Sequence, residues 1–178
     1  MRDFLLVTIT CPDRPGIVER VTDVVVARGG NWEESRLARL GGDFAGIVMV
    51  SAPDERADEL AAALVALTDD EITVTLKRTS SAPAVRHGHT FCRLRLEGAD
   101  HEGIVHDVSA YLAEQAINVE TLETEVVAAP MSAVPLFQMQ ARLDLPASID
   151  LEQLRENLRH LADQLGVDIQ IEPADTAA

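Results

Sequence analysis

Asp13-Arg14-Pro15-Gly16-Ile17-Val18 and Asp100-His101-Glu102-Gly103-Ile104-Val105 place an aspartate, a glycine and an apolar pair in one order, 87 residues apart. In each copy an asparagine, Asn31 or Asn118, follows the glycine by 15 residues. An apolar residue and a glutamate come next, Asn31-Trp32-Glu33 and Asn118-Val119-Glu120. Such residues could hold the two handles of a free amino acid. Backbone N–H groups at a helix start accept a carboxylate, a glycine lets it approach, and an aspartate or asparagine oxygen receives an ammonium group. The same residues also have a plain structural use. Asp13 can cap the helix, Pro15-Gly16 can make the turn, and Asn31 can close the connection after Gly29-Gly30. Three features in register are the mark of a duplicated domain.

Magnitudes bear on where such a site must lie. A helix N-terminus contributes about 0.3–1 kcal/mol when exposed and a charge-assisted hydrogen bond about 1.5–3, whereas micromolar binding needs roughly −8 kcal/mol. One exposed loop falls short, so a facing domain or a second chain is expected to close the site.

Other chemistry is thinly represented. G-x-S-x-G, H-E-x-x-H, G-x-x-x-x-G-K and C-x-x-C are all missing from the sequence, which argues against the corresponding hydrolase, metal, nucleotide and redox sites. No metal site or cofactor is expected. His101 and His106 lie five apart, off the i, i+4 spacing of a helical metal pair, and are expected to be solvated. Cys11 precedes a helix start, which can lower a thiol pKa and leaves a redox sensor open. Cys92 has no counterpart in the first copy, and both thiols are expected to be free. Glu33, Glu34, Glu120, Glu123 and Glu125 read as a solvated strand face, and Trp32 as core or interface.

Elements that position these residues follow from periodicity. Leu5, Val7 and Ile9 alternate in a strand; Ile17, Val21, Val24 and Val25 recur at helical spacing; Gly29-Gly30 ends that helix. Residues 31–40 and 43–52 read as a hairpin about Gly41-Gly42. Asp54 can cap a second helix carrying Leu60, Leu64 and Leu67, and Ile72, Val74 and Leu76 form a last strand. The order repeats from Phe91. Leu94 and Leu96 lie in its first strand, Ile104, Val105, Val108 and Leu112 in a helix, and Leu151, Leu154, Leu158, Leu161 and Leu165 in another. Residues 128–133 are an insertion of the second copy. The expectation is an α+β fold of two ferredoxin-like βαββαβ domains, each an antiparallel sheet with both helices on one face. Their bounds are 1–79 and 89–173, with a linker at 80–88 and a disordered tail at 174–178.

Composition narrows the function. The chain of 178 residues is 47% apolar and 25% charged, ordinary for a globular protein, and only 3% aromatic, so its cores must be aliphatic. Net charge is −15. Residues 1–83 hold nine Lys/Arg against 14 Asp/Glu, and the remainder six against 16. That field repels a phosphate backbone and disfavours direct nucleic-acid binding. It equally disfavours an anionic membrane surface, and no apolar run reaches the ~20 residues of a membrane span. With no signal-peptide pattern at the N-terminus, a cytoplasmic location is expected.

On these residues the chain resembles a tandem ACT-domain protein of the glycine cleavage system transcriptional repressor family. Asp13, Pro15, Gly16, Ile17, Val18 and Asn31 match the D-x-P-G-I-V element and asparagine of ACT domains. Ala129-Pro130-Met131-Ser132-Ala133-Val134-Pro135-Leu136-Phe137 looks like the loop and strand of that family's second domain. The resemblance covers residues 3–172. It implies a non-enzymatic regulator that binds a small ligand, an amino acid such as glycine, at ACT-domain interfaces. It further implies control of gene expression through a protein partner, with a homodimer as one arrangement. By position it assigns Asp13, Pro15, Gly16, Ile17 and Asn31 to one ligand site and Asp100, Gly103, Ile104 and Asn118 to another. Glu102 replaces Pro15 in the second loop and would repel a carboxylate, so the first loop is the better site. Two other roles stay open: a regulatory subunit acting in trans on an amino-acid or folate enzyme, and a small phosphatase using Arg14 and Asn31.

Overall fold

The structure, a computed structural model, describes residues 2–79, 90–128 and 134–174. The expected linker, the 129–133 part of the insertion, and the tail beyond Ala174 lie outside them. The chain divides into two compact units, Met1–Ala84 and Val85–Ala178.

In the first unit the order is β1 (Arg2–Pro12), α1 (Ile17–Ala27), β2 (Asn31–Leu40), β3 (Asp43–Pro53), α2 (Asp54–Val65) and β4 (Thr73–Thr79). In the second it is β5 (Thr90–Ala99), α3 (Ile104–Glu114), β6 (Asn118–Ala128), β7 (Pro135–Leu145), α4 (Leu151–Leu165) and β8 (Val167–Pro173). Strand orders are β2-β3-β1-β4 and β6-β7-β5-β8, antiparallel throughout, which is the ferredoxin-like plan twice.

Period-2 alternation decides which sheet face is covered. Leu5, Val7 and Ile9 on β1 and Val48 and Val50 on β3 pack with Ile17, Val21 and Val25 of α1 and Leu60 and Leu64 of α2. The intervening Thr8 and Thr10 stay exposed on the other face. The second core repeats this with Cys92, Leu94 and Leu96, Met139 and Leu143, and the helix residues Ile104, Val108, Leu112, Leu154 and Leu158. Both helices of each unit therefore cover one face of its sheet.

One local expectation fails. Asp54 does not cap α2: Pro53 holds the N-cap position without a side-chain cap, and Asp54 is the first helical residue. Proline, with its fixed φ and no N–H, sits readily at a helix start, and Asp54 contributes through the helix dipole instead. A true aspartate cap does occur on α4, where the Asp150 carboxylate accepts from the N–H groups of Glu152 and Gln153.

Candidate functional site

Each repeated loop joins the first strand of its unit to the first helix. Gly16 and Gly103 occupy the N-cap positions of α1 and α3 with φ of 90° and 97°. An L side chain is strained there, although a Cβ on Gly16 would meet nothing closer than Glu19 Oε2 at 3.9 Å. Neither helix start has a side-chain cap. The structural use foreseen for Asp13 therefore does not occur. Its carboxylate pairs with Arg39 Nε at 2.8 Å, and its N–H donates to Gly42 O at 3.0 Å. Glycine at the N-cap leaves the first-turn N–H groups of each helix without a side-chain cap, with Glu19 and Asp107 in the respective first turns.

Both loops are tied to the end of the second helix of their unit or the connection after it, in different ways. Arg14 donates to Glu71, in the connection between α2 and β4, and Arg20 Nη2 of α1 donates to Asp69 Oδ2 at 3.0 Å. Asp69 also accepts from the backbone N–H groups of Ile72 (2.8 Å) and Glu71 (2.9 Å). Those bonds, Ile72 first and then Glu71 and Arg20, pull its pKa to about 2. In the second loop His101 takes the place of Arg14. Its Nδ1 lies 2.9 Å from Glu102 O and its Nε2 2.8 Å from Leu165 O at the end of α4. Two carbonyls favour the doubly protonated ring, so the His101 pKa is raised. His101 is thus a tether, not the merely solvated side chain expected from its spacing. His106 is exposed and bonds Asp107 Oδ1 at 2.8 Å.

Ile17 and Ile104 are core residues, 5% and 2% exposed, so only their backbone can face a ligand. Cys11 is 5% exposed, and burial pushes its thiol pKa up, with Arg14 opposing. The helix-start activation that would suit a redox sensor is therefore overridden by desolvation. Cys11 and Cys92 are both free.

The asparagines lie at the opposite end of the sheet from the loops. Pro12, beside the first loop, pairs with Asp43 of β3, whereas Asn31 pairs with Ser51. The stretch of β3 from Asp43 to Ser51 spans roughly 27 Å at about 3.4 Å per residue. The second unit repeats this, with Ala99 opposite Leu136 and Asn118 opposite Asp144 on β7. Within one unit, then, loop and asparagine do not meet around one small ligand. The same separation parts Arg14 from Asn31 within the first unit.

What surrounds each asparagine was not legible in the sequence. β2 has a bulge between Trp32 and Glu34, and β6 has one between Val119 and Thr121, at equivalent positions. The bulged residues are Glu33 and Glu120, which remain exposed as expected and also bond neighbouring side chains. Glu33 Oε1 accepts from Asn31 Nδ2 at 3.0 Å and from Ser51 Oγ, and those two bonds, Ser51 first, lower its pKa. Arg2 closes the group, donating from Nε to Ser51 Oγ at 2.9 Å and from Nη2 to Ser51 O at 3.0 Å. Glu120 instead accepts from Arg142 Nε at 3.2 Å. Ser51 and Asp144, opposite the two asparagines, are the buried polar residues among those described.

Duplicated βαββαβ units, a glycine-opened first helix and an asparagine opening the second strand define a class. The ACT domain family matches at residues 3–76 and 94–172, and the chain belongs to that family. Among curated proteins it is similar to the glycine cleavage system transcriptional repressor of Escherichia coli (strain K12), 26% identical over 164 residues, covering 91% of this chain and 85% of the relative. Among solved structures, an unknown protein from Galdieria sulphuraria superimposes with a TM-score of 0.86 at 32% identity, over 98% of this chain and 100% of that one. A structure described as a proposed glycine cleavage system transcriptional repressor shares the fold, with a TM-score of 0.75 at 21% identity over 99% of each chain. No helix among the described residues is long and apolar enough to cross a membrane.

Proposed function

We propose that this protein is a non-enzymatic sensor of a free amino acid, glycine being the first candidate, and that it regulates gene expression through a protein partner. The observation that carries the reading is the repeated pair of helix starts, each opened by a left-handed glycine and lacking a side-chain cap. Such an end takes a carboxylate. Loop and asparagine are far apart within a unit, so the ligand joins the loop of one ACT domain to the asparagine of another, and Asp13, Gly16 and Asn31 form the preferred set. Likeness along most of the chain to a protein named as a glycine cleavage system transcriptional repressor supports the regulatory role. A net charge of −15 supports action through a protein and not through contact with DNA.

The test is a thermal-shift screen of the whole chain against the free amino acids. A ligand present at 100 times its Kd stabilises by about 2.7 kcal/mol, a plainly visible shift. One selective hit is expected, with Asn31→Ala weakening it about tenfold, the loss of one charged-group hydrogen bond, without unfolding the protein. No shift at millimolar concentrations would reject the sensor.

A further inference from the structure

The sheet face turned away from the helices in the second unit carries a row of arginines. Arg93 on β5 and Arg142 on β7 stand directly opposite each other in the strand register, so both side chains rise from one face. Arg95, two residues along β5, rises from it too. Like charges placed opposite one another destabilise a strand pair. The second unit has only six Lys/Arg against 16 Asp/Glu, yet three of the six meet here. Among the described residues Arg93 and Arg95 have no ion pair; Glu172 of β8 is in register with Arg93 without bonding it.

The fold does not require these charges. At the same positions of the first unit stand Leu6, Met49 and Thr8, with Leu6 opposite Met49. Arg142 is also held in place. Its guanidinium stacks 4.5 Å from the centroid of the Phe91 ring while its Nε donates to Glu120. Arg93, Arg142, Thr121 and Gln140 line a depression of about 190 Å³, with Glu123 at its β6 side. Arg95, Gln138, Gln140 and Gln170 line another of about 290 Å³, with Glu97 and Asp168 at its far end, and Gln140 belongs to both. Guanidinium forks beside amide N–H and hydroxyl donors suit phosphoryl oxygens.

From this juxtaposition we infer a second ligand site on the open face of the second sheet, for a compact anion bearing two or more phosphoryl groups. Its acidic surroundings set the size. Glu123 and Glu125 lie on β6, Asp168 and Glu172 on β8, and Glu97 on β5 accepts from Gln138 Nε2 at 2.7 Å. The edge strands are about 14 Å apart at ~4.8 Å per strand. A ligand confined to the Arg93–Arg142 and Arg95–Gln140 rows of the two central strands meets the arginines, whereas a nucleic-acid strand running across the face meets Glu97 and the edge-strand carboxylates.

Calorimetric titration of the whole chain with inorganic pyrophosphate tests this, beside a single-stranded oligonucleotide. The comparison variant is Arg93→Leu with Arg95→Thr, which installs the first unit's residues at two exposed positions. Its thermal unfolding is checked first. Pyrophosphate is expected to bind the natural chain at submillimolar Kd, less tightly as salt rises, and about tenfold or more weakly in the variant, as loss of charged-group hydrogen bonds requires. Absence of binding at millimolar pyrophosphate, equal Kd in the two proteins, or tighter binding of the oligonucleotide would each overturn the site.

Discussion

The two units differ most where the fold constrains them least. On the helix-covered faces, Val7 and Ile9 match Leu94 and Leu96, all at most 2% exposed. On the open faces the same strands have diverged, Leu6, Thr8 and Met49 in one unit against Arg93, Arg95 and Arg142 in the other. A buried layer admits only apolar residues of about the right volume. An open face tolerates either kind, so its composition reports what it meets and not how the domain folds.

The comparison breaks first if the two cores are not equivalent. Ile9→Ala and Leu96→Ala remove side chains at matching positions on β1 and β5, and each is expected to cost about 2–5 kcal/mol in urea unfolding. A cost below about 1 kcal/mol at either site would mean that its unit is loosely packed. Next comes Arg142→Met, which gives β7 the residue of β3. It removes a partly buried ion pair and a stacked cation but also relieves the repulsion from Arg93, so a net destabilisation below about 1 kcal/mol is expected. A net stabilisation would show that the repulsion outweighs both contacts.

The smallest effects are in the loop tethers, which respond oppositely to pH. Asp69 has its folded pKa lowered from 3.8 to about 2. Its contribution is therefore present above the unfolded value and lost as pH falls from about 4 towards 2. Asp69→Ala should flatten that part of the acid limb of stability. His101 has its folded pKa raised from 6.5. Its contribution is complete below that value and lost as pH rises through the folded pKa. Hydrogen exchange, corrected for its intrinsic pH dependence, should accelerate at residues 100–103 as pH rises through the folded His101 pKa, and not at 13–16, which have no histidine. Equal acceleration in both loops would remove His101 as the tether.

Much of the fold was legible because its signals are local. The alternation of Leu5, Val7 and Ile9, the helical stripe of Leu154, Leu158 and Leu161, and the Gly41-Gly42 turn each declare their element within a few residues. The repeated loops were legible for the same reason. The separation of Asp13 from Asn31 was not, since α1 carries the chain along the sheet between them and sequence spacing hides that displacement. Nor were the bulges at Glu33 and Glu120 legible, because a bulge adds one residue to a strand without changing its composition. The Arg93–Arg142 pair depends on register between strands that are distant in the chain, and no short window contains it. Asp54 misled for a simpler reason: it has the right chemistry for a cap but stands one residue too late.

The most direct test of the central claim is a nuclear magnetic resonance titration of the whole chain with the amino acid selected by the thermal screen, following backbone amides and asparagine side chains together. The amides of Gly16 and Ile17 and the side chain of Asn31 or Asn118 should shift along one binding curve, as the proposed site, in which one ligand joins a loop to an asparagine of another domain, requires. Shifts confined to the loop, or to the asparagine, would contradict a shared site.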